Sequence, residues 1–225
     1  MKHTALVELS GVIQARGDAS ADHINTALQA AFKDKNTQGV VLRINSPGGS
    51  PVQAGIIYDE IRRLKALYPA IPLYTVVEDI CASGGYYVAA ATDRIYVDKG
   101  SIVGSIGVIM QSADVTGLLD KLGIKPETIK SAPLKAVPSP FEVLTPEGRA
   151  ATKVLVDDMF AMFVDMVAER RNLERAKALE LADGRIYTGR QARANGLIDA
   201  IGDESDARAW LVERGVKERL PVRDI

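Results

Sequence analysis

The sequence has 225 residues, 25% charged and 47% hydrophobic, a composition typical of a soluble globular protein with one α/β domain and a smaller helical appendage. The formal net charge of −1 and the lack of a lysine- or arginine-rich run argue against a nucleic acid partner. The single cysteine, Cys81, excludes an intramolecular disulfide and a cysteine-built metal cluster. With only two histidines, His3 and His23, no metal site of conventional ligand spacing is expected.

Strands and helices are predicted to alternate along the N-terminal part of the chain. The elements are a strand over 4–13, a helix over 21–32, a strand over 39–44, a helix over 51–68, a strand over 71–77, a short helix over 86–91 and a strand over 94–97. Ser50 and Pro51 are typical of an N-cap and a first helical position. The alternation implies a mostly parallel sheet with right-handed crossovers.

The remainder of the chain is predicted to be more helical. Its elements are an extended segment over 101–111, a helix over 113–122, a short strand over 128–130, a proline-containing loop over 131–144, a long helix over 145–171, a helix over 174–182, a short helix over 189–194, an extended piece over 197–201 and a last helix over 205–214. Thr145 and Pro146 begin the long helix by the same N-cap and proline pattern.

No segment of the sequence is predicted to cross a membrane. The most apolar candidate, 102–110, is too short and contains glycines and a serine. Lys2 is followed by Glu8 and Gln14, so the N-terminal segment lacks the apolar centre of a signal peptide. We expect a soluble chain, and its cellular compartment stays open because an anchor could lie outside this sequence.

Ser83 is the first candidate functional residue. It follows a predicted buried strand and precedes small apolar residues without a helix breaker, so it lies at a strand-to-helix turn. At such a turn, unpaired backbone N–H groups favour a developing negative charge beside the serine hydroxyl. The alternative is a plain helix N-cap, which is a common role for serine. Cys81 is a rival nucleophile, although its position is typical of a small buried strand-end residue.

Two glycine pairs follow buried strands and could serve as hydrogen-bond donors. The turns Pro47-Gly48-Gly49 and Ser83-Gly84-Gly85 are both expected at the carboxyl ends of parallel strands, where clefts form. Glycine lets a backbone N–H approach a ligand closely. One N–H from Gly48 or Gly49 and one from Gly84 would make a two-donor oxyanion hole beside Ser83.

A serine nucleophile also needs a base, and no histidine follows Ser83 in the chain. A Ser-His-Asp triad would have to use the upstream His23. A lysine serves as base when burial disfavours its ammonium form. Lys135 is surrounded by apolar neighbours over 133–138, whereas most other lysines lie among charged residues. Lys130 is the nearest competitor, and a solvent-exposed loop lysine is the plain alternative for Lys135.

Four motifs in order carry a resemblance to a known family. They are Asn45-Ser46-Pro47-Gly48-Gly49, Ala82-Ser83-Gly84-Gly85-Tyr86-Tyr87, Gly104-Ser105-Ile106-Gly107-Val108, and Asp183-Gly184-Arg185 followed by Tyr187-Thr188-Gly189. As a set they resemble the signal peptide peptidase A family of serine proteases, part of the Clp protease/crotonase superfamily. The likeness covers nearly the whole chain. It implies an α/β fold with a repeated ββα core and a C-terminal helical extension.

The resemblance implies a role for each matching position. Ser83 would be the nucleophile, and the lysine of the segment 131–135, which is Lys135, would be the general base. Ser105 would orient that base, while Gly49 and Gly84 would supply the oxyanion N–H groups. No metal and no cofactor is expected.

The resemblance also implies a substrate, an assembly and a division of the chain. Family members cleave remnant signal peptides or other short hydrophobic peptides without ATP, as ring- or dome-shaped homo-oligomers in contact with a membrane. Residues 1–144 would form the α/β catalytic core, and 145–225 a helical extension for oligomerisation within one continuous domain. The stretch Met159–Met166 would suit a subunit interface or an ordinary buried helix face. The substrate pocket is expected to be apolar and to involve the residues Ile102, Val103 and Ile106.

Two other classes of protein remain open at this stage. One is a catalytically silent scaffold or binding subunit with the same fold. The other is a crotonase-like acyl-CoA enzyme, whose oxyanion hole serves a thioester enolate and which needs no serine nucleophile.

Overall fold

The computed structural model describes residues 2–213 and 222–224. The strands are β1 (His3–Ser10), β2 (Thr37–Ser46), β3 (Leu73–Ala82), β4 (Arg94–Val97), β5 (Ile102–Gly104), β6 (Ile186–Thr188), β7 (Ala200–Ile201) and β8 (Val222–Asp224). The helices are α1 (Ala21–Lys33), α2 (Pro51–Leu67), α3 (Gly84–Ala89), α4 (Thr116–Lys121), α5 (Pro146–Arg171), α6 (Arg175–Leu181), α7 (Gly189–Ala194) and α8 (Glu204–Glu213), with a 3-10 turn over Pro133–Ala136. The chain divides into two compact units, Met1–Gly107 with Phe163–Ile225, and Val108–Met162.

A parallel sheet forms the centre of the first unit. Its main path runs β6-β5-β3-β2-β1-β8, and β4 pairs with β3 and β7 off this path. The pairs β1–β2 and β2–β3 are parallel, so the crossover helices α1 and α2 join strands that run in the same direction. The long apolar runs of β1, β2 and β3 are buried, as expected for strands of a parallel sheet covered by helices.

The start of α2 and the buried faces of α1 and α2 agree with the sequence patterns. The Ser50 hydroxyl accepts from the Gln53 N–H, and Pro51 occupies the first helical position of α2. Apolar side chains on one face of α1 and α2 are fully buried, and they are Ile24, Leu28, Ile57 and Ile61. Both helices therefore pack through the faces that their sequence periodicity predicts.

The strand β3 is longer than the sequence predicts, and it pairs on one side with two different strands along its length. Its first half pairs with β4, from Tyr74 opposite Arg94 to Val77 opposite Val97. Its last residues pair with β5, ending with Ala82 opposite Gly104. Because the strand continues to Ala82, Ser83 is the first residue after the sheet.

The segment 145–225, expected to be a helical extension, also returns to the sheet. It contributes β6, which is antiparallel to β5, and β7 and β8, which pair with β4 and β1. Phe163 and Met166 on the second half of α5 are buried in the first unit, and the Phe163 ring lies 5.1 Å from that of Tyr87. Met162 is exposed. The grouping of residues in the structure thus differs from the expected boundary at 144.

The second unit, Val108–Met162, consists of α4, the 3-10 turn, the first part of α5 and irregular connections. A hydrogen bond of 2.9 Å from the Val115 N–H to the Pro140 carbonyl joins two of its segments. The prediction of a short strand over 128–130 was wrong, because this stretch has no regular structure. Across the described residues of both units, none of the helices combines the length and apolar character needed to span a bilayer.

Candidate active site

Three loops meet at the carboxyl edge of the sheet, because β1, β2 and β3 are parallel neighbours. The loop after β1 contains Ile13, the loop after β2 contains Gly48 and Gly49, and the loop after β3 begins at Ser83. The Ile13 N–H donates to the Gly48 carbonyl over 2.8 Å, and the Ser50 N–H donates to the Ile13 carbonyl over 2.8 Å. The first two loops are therefore locked together by main-chain hydrogen bonds.

The backbone of Ser83 is held in an unusual conformation. Its φ of 52° and ψ of −123° lie outside the regions that non-glycine residues normally occupy, at a cost of about 1–3 kcal/mol. Its N–H donates to the Gly104 carbonyl over 2.8 Å, and its carbonyl accepts from Tyr87. Among the described residues, its hydroxyl makes no capping bond to α3. The plain N-cap role considered for Ser83 is therefore not observed.

The Gly48–Gly49 loop packs directly against the Ser83 turn. A Cβ atom on Gly48 would lie 2.6 Å from the Gly84 nitrogen and 2.7 Å from the Ser83 Cβ atom. A Cβ atom on Gly84 would lie 3.4 Å from the Gly49 nitrogen. The Gly48 position accommodates only glycine at this approach, and the close contact brings the Gly49 and Gly84 N–H groups to the same part of the site.

The Gly49 and Gly84 N–H groups both lie beyond the ends of their strands, in the loop after β2 and at the start of α3. Gly84 is the first residue of α3, so its N–H has no acceptor within the helix. The Gly48 carbonyl accepts from Ile13, and in a trans peptide the N–H of the next residue points the opposite way. The Gly49 N–H is therefore directed away from Ile13. Two main-chain donors beside a serine hydroxyl can stabilise a tetrahedral oxyanion.

Ser105 occupies the position after β5 that corresponds to Ser83 after β3. Ala82 and Gly104 are register partners, and a serine with positive φ follows each of them. Ser105 has a φ of 49°, is half-buried, and donates its N–H to the Arg185 carbonyl over 2.9 Å. The structure brings Ser105, Ser83, Gly84 and Gly49 together in the first unit.

The predicted base, Lys135, belongs to the second unit. It lies in the 3-10 turn Pro133–Ala136, where its N–H donates to the Ala132 carbonyl over 3.1 Å. Its side chain is exposed, which differs from the burial that its apolar neighbours suggested. A four-residue turn in a proline-containing loop has too few packing partners to bury a lysine. Lys130 instead forms an ion pair with Glu142, and this hydrogen bond lowers the pKa of the Glu142 carboxyl.

The alternative nucleophile and the two histidines that could serve as bases are poorly placed. Cys81 is completely buried, and burial raises the pKa of its thiol, so the thiolate needed for attack is disfavoured. His3 is buried at the start of β1, at the opposite edge of the sheet from Ser83, and contacts Thr37. His23 is exposed on the first turn of α1.

The three residues expected to form the substrate pocket have different surroundings. Val103 and Ile106 are fully buried, so they have no free surface to offer a peptide. Ile102 is half-buried and lines a cavity of about 830 Å³. The charged residues that line this cavity are Arg43, Glu78, Asp79, Asp98, Asp203 and Glu204. Within the described residues, no group of three or more acidic, histidine or cysteine side chains is arranged to hold a metal ion.

Sequence reasoning assigned no role to Ile13 or to Ser46. Ile13 lies on an isolated bridge to Gly49, and Ser46 is a fully buried serine whose hydroxyl contacts both the loop after β1 and the loop after β2. Ser46 is part of one of the family motifs, which was the only signal that could have drawn attention to it.

Comparison with known proteins gives consistent matches. The profile of peptidase family S49 matches residues 65–217, and that of Clp protease matches 6–103. A putative signal peptide peptidase SppA of Enterococcus faecium is 38% identical over 92% of this chain, and a putative protease of Synechocystis is 40% identical over 93%. The chain spans 62% and 73% of the lengths of these two relatives.

A solved structure confirms the fold class. A mutant ClpP1 from Listeria monocytogenes superposes with a TM-score of 0.58 at 16% identity, covering 89% of this chain and 92% of its own. At that identity the likeness concerns the fold alone. The α/β, Clp protease/crotonase-like fold predicted from the sequence is thereby confirmed.

Proposed function

Because the chain belongs to peptidase family S49, we propose that it is a serine endopeptidase with Ser83 as nucleophile and Lys135 as general base. The observation that carries the proposal is the turn at Ser83. Its strained backbone presents a hydroxyl that does not cap α3, directly beside the Gly48–Gly49 loop. Strain of this kind persists only where the surrounding structure enforces it, which is typical of functional sites.

The reaction we propose has two halves. The neutral Lys135 amine takes the proton of the Ser83 hydroxyl as the oxygen attacks the peptide carbonyl. The resulting oxyanion accepts hydrogen bonds from the Gly49 and Gly84 N–H groups. The intermediate collapses, Lys135 returns the proton to the leaving amine, and an acyl-enzyme ester forms on Ser83. Water then attacks this ester with Lys135 again as base, which releases the acid product and restores the serine.

Several observations support Lys135 over other bases. Lys130 is occupied by Glu142, His3 is buried at the far edge of the sheet, and no ion pair involves Lys135 among the described residues. The amine must be neutral to accept a proton, and Lys135 is exposed in the free chain. We infer that the bound peptide supplies the desolvation that favours the neutral amine. Ser105, with one hydroxyl that can donate or accept, would orient it.

For the substrate we propose remnant signal peptides or other short hydrophobic peptides, cleaved without ATP. The support is the likeness to a relative named a putative signal peptide peptidase. For the assembly we propose a ring- or dome-shaped homo-oligomer close to a membrane. Its support is the unusual number of exposed large apolar side chains in the second unit, which a partner surface would cover.

The proposal can be tested by labelling the purified chain with a fluorophosphonate and mapping the modified residue by mass spectrometry. We expect modification of Ser83 and hydrolysis of a fluorogenic hydrophobic peptide without nucleotide or metal. Ser50→Ala, which removes an N-cap hydroxyl on α2, is the matched control and should retain labelling. Labelling at another residue, or hydrolysis that persists in Ser83→Ala, would contradict the proposal. A chain with neither labelling nor hydrolysis would favour the silent scaffold, and acyl-CoA turnover independent of Ser83 would favour a crotonase-like enzyme.

A further inference from the structure

Ser46 is a fully buried hydroxyl at the end of β2, and it joins two loops of the site. Its Oγ atom donates to the Gly11 carbonyl over 2.6 Å and accepts from the Gly48 N–H over 3.1 Å. The residue has no exposed surface. It therefore cannot contact a substrate, but it is bonded on one side to the loop after β1 and on the other to the loop after β2.

Those two loops determine the direction of the Gly49 N–H. The peptide between Gly48 and Gly49 is anchored at its carbonyl by the Ile13 N–H over 2.8 Å. Since the peptide is planar and trans, that anchor sends the Gly49 N–H to the opposite side. If this peptide rotated, its carbonyl would take the place of the donor, and the oxyanion hole would lose one of its two N–H groups.

Nothing in the side chains of the loop prevents such a rotation. Gly48 and Gly49 have φ values of 96° and 149°, and glycine is free to leave these conformations because it has no Cβ atom. The constraint comes from hydrogen bonds, which include the main-chain bond from the Ser50 N–H to the Ile13 carbonyl already described. Ile13 holds the Gly48 carbonyl, and Ser46 holds the Gly48 N–H and, through Gly11, the start of the loop that carries Ile13.

We propose that Ser46 is a positioning residue for catalysis, whose hydroxyl keeps the Gly49 N–H directed into the oxyanion hole. This inference rests on the proposed peptidase function. A donor to the oxyanion acts mainly in the transition state, so loss of its orientation lowers kcat and leaves KM nearly unchanged. Removal of one donor outright typically costs roughly 100- to 1,000-fold in kcat. Loss of the anchor is expected to cost roughly 10- to 100-fold on the same scale.

The experiment compares Ser46→Ala, Ser46→Cys and Ser46→Thr in the full chain. Cysteine keeps nearly the volume of serine but is a weak hydrogen-bond partner, whereas threonine keeps the hydroxyl. The matched control is Thr75→Val. Thr75 lies on β3, and its fully buried hydroxyl is hydrogen-bonded to the hydroxyl of Thr92. The substitution removes this hydroxyl without touching the loops. Measurements are kcat, KM, Tm and the affinity for a peptide aldehyde. Ser83 adds to this aldehyde to give a hemiacetal whose oxygen takes the oxyanion position.

We expect Ser46→Ala and Ser46→Cys to lose kcat and aldehyde affinity by the same factor, with KM within about twofold. Ser46→Thr keeps the hydroxyl but adds a methyl group at a fully buried position, so it should recover part of kcat, and Thr75→Val should lower Tm while leaving kcat unchanged. If Ser46→Ala does not fold, Ser46→Cys decides the matter. Full kcat in a folded Cys variant overturns the proposal, as does a loss of Tm alone. Failure of the proposed function would appear separately, as a wild-type chain that does not hydrolyse peptides or a Ser83→Ala variant that does.

Discussion

The turn at Ser83 and the turn at Lys135 differ in how firmly the structure holds them. Ser83 lies between main-chain hydrogen bonds to Gly104 and Tyr87, within van der Waals contact of a second loop that is itself bonded to a third. Lys135 lies in a single 3-10 turn whose bonds are to its own neighbours. The proposed nucleophile and the proposed oxyanion donors are thus held by several hydrogen bonds and contacts, whereas the turn that carries the proposed base is held only by bonds within itself.

The two units also differ in how completely their apolar side chains are buried. Most large apolar residues of the first unit are in its core. The second unit exposes many of its own, namely Ile109, Met110, Leu118, Leu122, Ile124, Ile129, Leu134, Phe141, Val143, Val154, Leu155 and Met162. Exposed apolar side chains that form one contiguous surface normally mark an interaction site. These side chains are the ones that the proposed homo-oligomer would cover.

The largest effect is expected for Ser83→Ala. If Ser83 is the nucleophile of a preorganised site, peptide hydrolysis should fall by roughly four to six orders of magnitude, because the catalytic residues act as a unit. The fold should persist, since the Ser83 side chain makes no capping bond among the described residues. Initial rates on a fluorogenic peptide and circular dichroism spectra test both statements. Substantial turnover by the purified variant would remove Ser83 from the mechanism.

A slightly smaller loss, at least roughly 1,000-fold, is expected for Lys135→Ala and Lys135→Arg. Guanidinium stays protonated at any workable pH, so arginine cannot replace the amine as base. Initial rates of both variants on the fluorogenic peptide should be compared with the wild-type rate.

The matched controls for Lys135 are Lys130→Ala and His23→Ala, both of which should keep most activity. Lys130 is paired with Glu142, and His23 is exposed on α1. If His23→Ala were inactive while Lys135→Ala remained active, the assignment of Lys135 as base would be wrong. A histidine mechanism would then be required.

An intermediate effect is expected for Gly49→Ala. The new Cβ atom would lie 2.1 Å from the Ile13 carbonyl oxygen, so the loops must separate. We expect activity to fall by roughly 100-fold, as for loss of an oxyanion donor, and stability to fall by about 1–3 kcal/mol. Steady-state kinetics and urea denaturation provide the measurements.

Gly55→Ala serves as the control for Gly49→Ala, since Gly55 lies inside α2 and a Cβ atom added there would meet open space. This change should leave activity unchanged and add about 0.5–1 kcal/mol to the free energy of unfolding, because alanine loses less backbone entropy in a helix. Equal losses at both glycines would show that the close packing of the Gly49 loop is irrelevant to function.

The smallest effect is expected at Cys81. Burial raises the pKa of this thiol, so native protein should resist alkylation by iodoacetamide at a pH of about 8, near the ordinary thiol pKa, and react only after unfolding. Peptidase activity should survive the treatment. Rapid native alkylation, accompanied by loss of activity, would restore Cys81 as a rival nucleophile and weaken the case for the Ser83 turn.

Much of the organisation of this chain could be predicted from local sequence. The caps at Ser50 and Thr145, the buried strands and the glycine turns all depend on residues close together in the chain, so local patterns predicted them. The four motifs predicted the family, which the matches to peptidase family S49 and its relatives confirm. The assignments of Ser83, Lys135, Ser105, Gly49 and Gly84 to catalytic roles stay predictions.

Local sequence patterns could not predict the short strands or the change of partner along β3, which depend on pairing between distant segments. The short strands β6, β7 and β8 have too few residues to show a periodicity, and β3 exchanges β4 for β5 partway along its length. The burial of Val103 and Ile106 and the exposure of Lys135 depend on which segments pack over them.

The direction of the Gly49 N–H is the clearest example of this division. Local sequence predicts a glycine turn after β2, and nothing more, because two glycines permit many conformations. Ile13 and Ser46 select one of these conformations through hydrogen bonds that form only when β1 and β2 lie side by side. Sequence thus determined where the donors lie in the chain, and tertiary structure determined where they point.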